Sequence, residues 1–235
     1  MKITLLTGQT SDLSVYFDFD IKIKKSISAK RLTLRIDEKN HIPVLTIPNH
    51  YSKNKAISFV KEHLDWINTN LEKLPPLKKF TNNDKISFMG KEITIIHKPA
   101  QRGVTLTDDK LLTGGQEEFL HRRVCDFIKK QAQKELYQAS VNTAKTLNCE
   151  IHKVSIKDTK SRWGSCSNKK NINYNWRIAL APKFVIDYLV CHEVSHLAHQ
   201  DHSSCFWECV SKLCPKYQEA RQWLKTNGKS LYQYK

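Results

Sequence analysis

His192-Glu193-Val194-Ser195-His196, followed closely by His199 and His202, is the stretch on which the reading of this chain turns. Residues four apart on an α-helix lie on one side, so a helix through this segment aims the imidazoles of His192 and His196 at a single point. Glu193 lies about a quarter turn round. From there it ligates poorly but is well placed to take a proton from water activated by a metal ion. The helix is also visible upstream: Pro182 suits a first helical turn, and Val185, Leu189, His192 and His196 follow steps of four, three and four. Two polar rings thus interrupt an apolar stripe. A single histidine there is usually a hydrogen-bonded core residue, but four of the ten histidines fall within eleven residues. Composition alone produces this spacing with a further histidine six residues on in roughly one sequence in a thousand.

The chemistry that fits is a zinc ion held by His192, His196 and His202, with a fourth position open and Glu193 as general base. A rival ligand set keeps His192 and His196 but takes a carboxylate from a later helix, Glu219 first and Glu208 second. His199 stays open between supporting a ligand, facing substrate and ending the helix. For a developing oxyanion the candidate donor is Arg162, with the polar face of a strand at 172–180 beside it.

At 235 residues the chain can bury a core without metal or disulfides. A formal charge of +16 attracts polyanions, nucleic acid included, although general basicity explains it equally well. The seven cysteines form no paired framework, as expected of reduced thiols. Cys205 and Cys209, four apart, read as small apolar packers rather than ligands. The only apolar run near the N-terminus is Ile3 to Leu6, so a soluble, cytoplasmic protein with no membrane contact is expected. With no glycine-rich phosphate loop, nucleotide-binding P-loop and dinucleotide folds have no support.

Short β-prone runs at Val15 to Ile23, Arg31 to Ile36 and Pro43 to Ile47 predict a small antiparallel sheet. Ser52 then caps a helix carrying Ile57, Val60, Leu64, Ile67 and Leu71, which Pro75-Pro76 ends. Two strands follow around Met89-Gly90, and Gly114-Gly115 reads as a hinge before a helix over 117–147. Its basic residues, His121, Arg122, Arg123, Lys129, Lys130 and Lys134, suit a solvated face. Strict alternation from Ile172 to Leu180 predicts a strand whose amides and Arg177 face water or a cleft. The fold class is α+β: residues 1–112 form a β-rich N-terminal region with one helix, and 113–235 form a helical catalytic core.

Several stretches resemble the YgjP-like metallopeptidases, relatives of the WLM and SprT-like zinc proteases. They are KSRWGSC at 160–166, the Asn/Trp/Arg strand, CHEVSHLAHQDH at 191–202, the segment from Ser203 to Trp207, KKSISAKRLTLRI at 24–36, the Trp66 helix and Phe88-Met89-Gly90. The resemblance implies a minimal zincin-like core, zinc on His192, His196 and His202, Glu193 as base, and a peptide or protein substrate. Cys191, Val194 and Ser195 depart from the plainer aliphatic or alanine-like residues expected there, but none removes a ligand. Two alternatives stay open. One is a metal-dependent nucleotide phosphohydrolase, against which no acidic cluster for magnesium is visible. The other is a nucleic-acid-associated protein with a structural zinc, which needs a fourth ligand such as His199.

Overall fold

The computed structural model describes residues 17, 19–38, 40–160 and 162–234. They form two compact units that divide between Leu77 and Lys78. Part of the run expected as a strand from Val15 lies outside the described residues.

In the first unit, strands β1 (Lys22–Ser26), β2 (Thr33–Asp37) and β3 (Ile42–Pro48) form a sheet in the order β1-β3-β2. β2 runs antiparallel to β3, pairing Leu34 with Leu45, but β1 runs parallel to it, pairing Ile23 with Leu45. The sheet is therefore mixed, not antiparallel. Alternation of side chains fixes which face is buried but not the direction of the neighbouring strand. The side chain of Ser52 accepts the Lys55 amide at 3.3 Å, capping α1 (Lys53–Glu62). At His63 the helix breaks, and α2 (Leu64–Glu72) follows. Ile23, Leu45, Ala56, Val60 and Ile67 close this unit's own core.

The second unit takes in β4 (Lys85–Phe88), β5 (Lys91–His97), β6 (Val104–Leu106) and β7 (Lys110–Thr113), a sheet ordered β4-β5-β7-β6. The boundary thus falls well before Gly114-Gly115. Gly115, with φ of 75°, makes a local turn, while Ile86, Phe88, Ile93, Ile95 and Leu111 share one core with the helices that follow it. Helix α3 (Leu120–Thr146) leads to β8 (Lys153–Lys157), β9 (Gly164–Cys166) and β10 (Asn171–Asn175), ordered β8-β10-β9. β9 is an edge strand that pairs antiparallel with β10, Gly164 opposite Tyr174. Helices α4 (Lys183–Ser195), α5 (Ser204–Leu213) and α6 (Tyr217–Asn227) complete the unit, with α4 packed against α3, α5 and α6. Residues on every side of α4 are buried, from Val185 and Ile186 to Val194 and Ser195. Its position is accordingly fixed by packing on all sides rather than by one amphipathic face.

The expected strand at 172–180 is half right. It ends at Asn175, and Trp176–Leu180 continues as a 3-10 helix with all five residues buried. The side chain of Asn175 turns back to accept the Arg177 amide at 3.1 Å, which offers the backbone a tight turn in place of the ladder. Arg177 consequently faces no cleft: it is 1% exposed and donates to the Tyr234 carbonyl at 3.1 and 2.8 Å and to Asp158 at 2.5 Å. Among the described residues no helix is long and apolar enough to cross a membrane.

Candidate active site

Helix α4 carries His192 and Glu193 in its last turns, and His196 stands at its C-cap. The chain then curls back: the His199 amide donates to the Ser195 carbonyl at 3.0 Å, and residues 200–203 bring His202 over the helix end before α5 begins. Ring nitrogens of His192, His196 and His202 lie within 4.8 Å of one another. The Nε2 atoms of His192 and His202 face each other at 3.3 Å.

Burial, then repulsion from His196 and His202, holds His192 down to about 3, and burial also lowers His196. His192 and His196 are therefore neutral near pH 7 and offer lone pairs without first losing a proton. A cation between the two facing Nε2 atoms would be met by a lone pair from each. Ligand nitrogens on one tetrahedral metal ion stand about 3.3 Å apart, a separation that the His192–His202 pair matches. The tautomers agree. Nδ1 of His196 sits 3.0 Å from the His199 carbonyl, and Nδ1 of His192 sits 3.3 Å from the Tyr188 hydroxyl, which leaves both Nε2 atoms for a ligand role. Phe206, wholly buried, backs all three rings with centroid distances of 5.0, 4.5 and 4.8 Å.

Glu193 is 4% exposed, and burial pushes its carboxyl up to about 8. Its Oε2 has no hydrogen-bond partner among the described residues. An unpartnered buried carboxylate is costly, which points to a group it is built to meet. Gly164 explains how the carboxylate is accommodated: a Cβ there would stand 2.3 Å from Oε1. Glycine in KSRWGSC is thus required by close approach of the β9 backbone to Glu193, a role that spacing within the segment did not reveal.

Other sequence candidates lie apart from the triad. No carboxylate or thiol joins the three histidines among the described residues. Glu208 instead pairs with Lys212 at 2.7 Å, and Glu219 is exposed on α6. The side chain of His199 lines a separate cleft of about 520 Å³ with Cys205, Glu208, Cys209 and Lys212. Arg162 is exposed on the loop before β9. Cys191 and Ser195 pack behind the site: the Ser195 hydroxyl donates to the Cys191 carbonyl at 2.7 Å, and burial raises the Cys191 thiol to about 12.

The family model described as YgjP-like, metallopeptidase domain, matches residues 30–227. The chain belongs to the YgjP-like family of metallopeptidase domains. The match spans residues of both compact units and every residue of the triad. Membership implies a metal ion and a peptide or protein substrate for this YgjP-like chain. Among solved structures, the metallopeptidase zymogen of Pyrococcus abyssi abylysin is similar to it at 21% identity, covering 40% of this chain and 92% of that one with a TM-score of 0.35. No curated protein matches the sequence.

Proposed function

We propose that the protein is a zinc-dependent peptidase in which His192, His196 and His202 hold the ion and Glu193 is the general base. The observation that carries this reading is the facing of two Nε2 atoms at 3.3 Å beside a buried carboxylate with a free oxygen. Support for catalysis over a purely structural metal comes from the ligand count. A structural zinc closes its fourth position with cysteine or histidine, and among the described residues the cluster has three members only.

Zinc bound there supplies Lewis acidity, which acidifies water and polarises a carbonyl oxygen. A cation on the three histidines would favour the ionised form of Glu193, which would then accept a proton as water adds to the peptide carbonyl and return it to the amine as the C–N bond breaks. Its rigidity comes from burial on α4 and from the Gly164 backbone against it. Among the described residues β9 is an edge strand with no neighbour on its outer side, its Gly164 backbone lies against that carboxylate, and an extended peptide can pair with such an edge. Arg162, two residues before Gly164, is close enough in the chain to bring positive charge towards a developing oxyanion.

The test is elemental analysis of the protein and of Glu193→Gln, followed by hydrolysis assays on an unstructured protein and on nucleoside triphosphates. One zinc in each, with hydrolysis of the protein substrate by the unmodified chain alone, is the expected outcome. Absence of metal from both would refute the ligand assignment. Phosphate release without proteolysis would refute the substrate class.

A further inference from the structure

One flank of the histidine cluster is built from aromatic rings and ends in a cation. The Trp207 ring lies 5.8 Å, centroid to centroid, from those of both His192 and His202. Tyr217 stacks on Trp207 at 5.6 Å with 24° between the planes. Over the same indole sits Arg221 of α6, its Cζ 4.3 Å from the ring centroid. Among the described residues no hydrogen bond or ion pair engages this guanidinium. Glu208 pairs with Lys212 and Asp187 with Lys183.

An exposed arginine ordinarily samples many rotamers. Stacking on an indole removes much of that freedom while leaving the planar fork of N–H donors open to solvent. From the ring distances, the guanidinium lies no more than about 10 Å from the two imidazoles, within reach of a peptide residue one or two positions from a reacting bond.

We propose that Arg221, seated on Trp207, is a carboxylate-binding subsite that selects peptides carrying an acidic side chain or a free C-terminal carboxylate near the bond to be cut. The inference rests on the peptidase reading. A carboxylate suits the fork because it accepts two parallel N–H donors, and the aromatic floor limits the water that competes for them. Arg221 acts on substrate choice, leaving zinc binding and Glu193 untouched.

The test measures peptide binding by calorimetry to zinc-loaded Glu193→Gln, alone and combined with Arg221→Gln or Arg221→Glu. The peptides share one sequence, with Glu, Gln or Lys substituted singly at each position, and each is made as free acid and as C-terminal amide. Peptides with the carboxylate bind about tenfold tighter than their amide counterparts; Arg221→Gln abolishes the difference and Arg221→Glu turns the preference towards Lys. A preference that follows the internal Glu identifies a side-chain site, and one that follows the free acid identifies a terminal site. The proposal is overturned if Arg221→Gln keeps the preference or if the Arg221 protein shows none. Failure of the peptidase reading is seen separately, as absence of zinc or of hydrolysis by the unmodified protein.

Discussion

The Tyr188 hydroxyl sits one helical turn before His192 and 3.3 Å from its Nδ1. Burial raises this phenol to about 12, so it stays protonated through the neutral range and can accept the Nδ1 proton in its lone pair. That contact fixes the ring's tautomer and its rotation. Tyr188→Phe is expected to weaken zinc binding about tenfold, read by competition with a chelator, with little change in thermal stability. Equal affinity would show that packing against Phe206 alone orients the ring. Gly164 bears on the other half of the chemistry. In Gly164→Ala the new methyl stands 2.3 Å from Oε1 unless Glu193 or β9 moves. On the proposed roles, turnover should fall by about a hundredfold with zinc content unchanged, since Glu193 is displaced while the histidines are not. The grouping of His192 and His196 was readable in the sequence because a helix converts spacing into direction. Gly164 was not, because its neighbour is 29 residues away and only packing brings the two together.

At the scale of elements, the turn from β10 into the 3-10 helix shows where periodicity misleads. Residues 172–180 alternate in type, yet Trp176, Arg177, Ile178, Ala179 and Leu180 are all buried, so after Asn175 the alternation no longer separates two faces. Arg162 and Arg177 each adjoin a tryptophan in the sequence, and composition does not distinguish them. Structure does: Arg162 is exposed, whereas Arg177 is buried beneath the C-terminal segment with Tyr234 stacked on Phe80 at 4.0 Å. Replacing Arg177 with Met keeps much of the volume but removes its hydrogen bonds to the Tyr234 carbonyl and its ion pair with Asp158. The expected loss is about 3 kcal/mol, with Asp158, which is 39% exposed, contributing little of it. Urea unfolding should show it as a lower midpoint at unchanged slope. A loss under about 0.5 kcal/mol would mean that water replaces both partners freely.

For the whole molecule, the decisive question is where an independently folding unit begins. A glycine pair marks a turn in the local backbone, but a domain boundary depends on which distant segments share a core, and Gly114-Gly115 carries no information about that. The α+β class and the histidine helix were legible in the sequence, whereas the assignment of β4 to β7 to the catalytic unit was not. Phe80, Ile86, Phe88, Ile93, Ile95 and Leu111 belong to the same core as Val124, Ile128 and Leu136 of α3 and Val185 and Leu189 of α4. Each such side chain contributes roughly 1.5–3 kcal/mol when buried, so removing all six costs on the order of 10 kcal/mol, as much as a typical domain's whole stability. Residues 78–235 expressed alone should therefore unfold cooperatively in urea and retain one zinc, while residues 113–235 should show no cooperative transition and no stoichiometric metal. If the shorter piece folds and binds zinc, the four-stranded sheet is an accessory to the core. If the longer piece fails, the catalytic unit depends on residues before Lys78, where the family match already begins at residue 30.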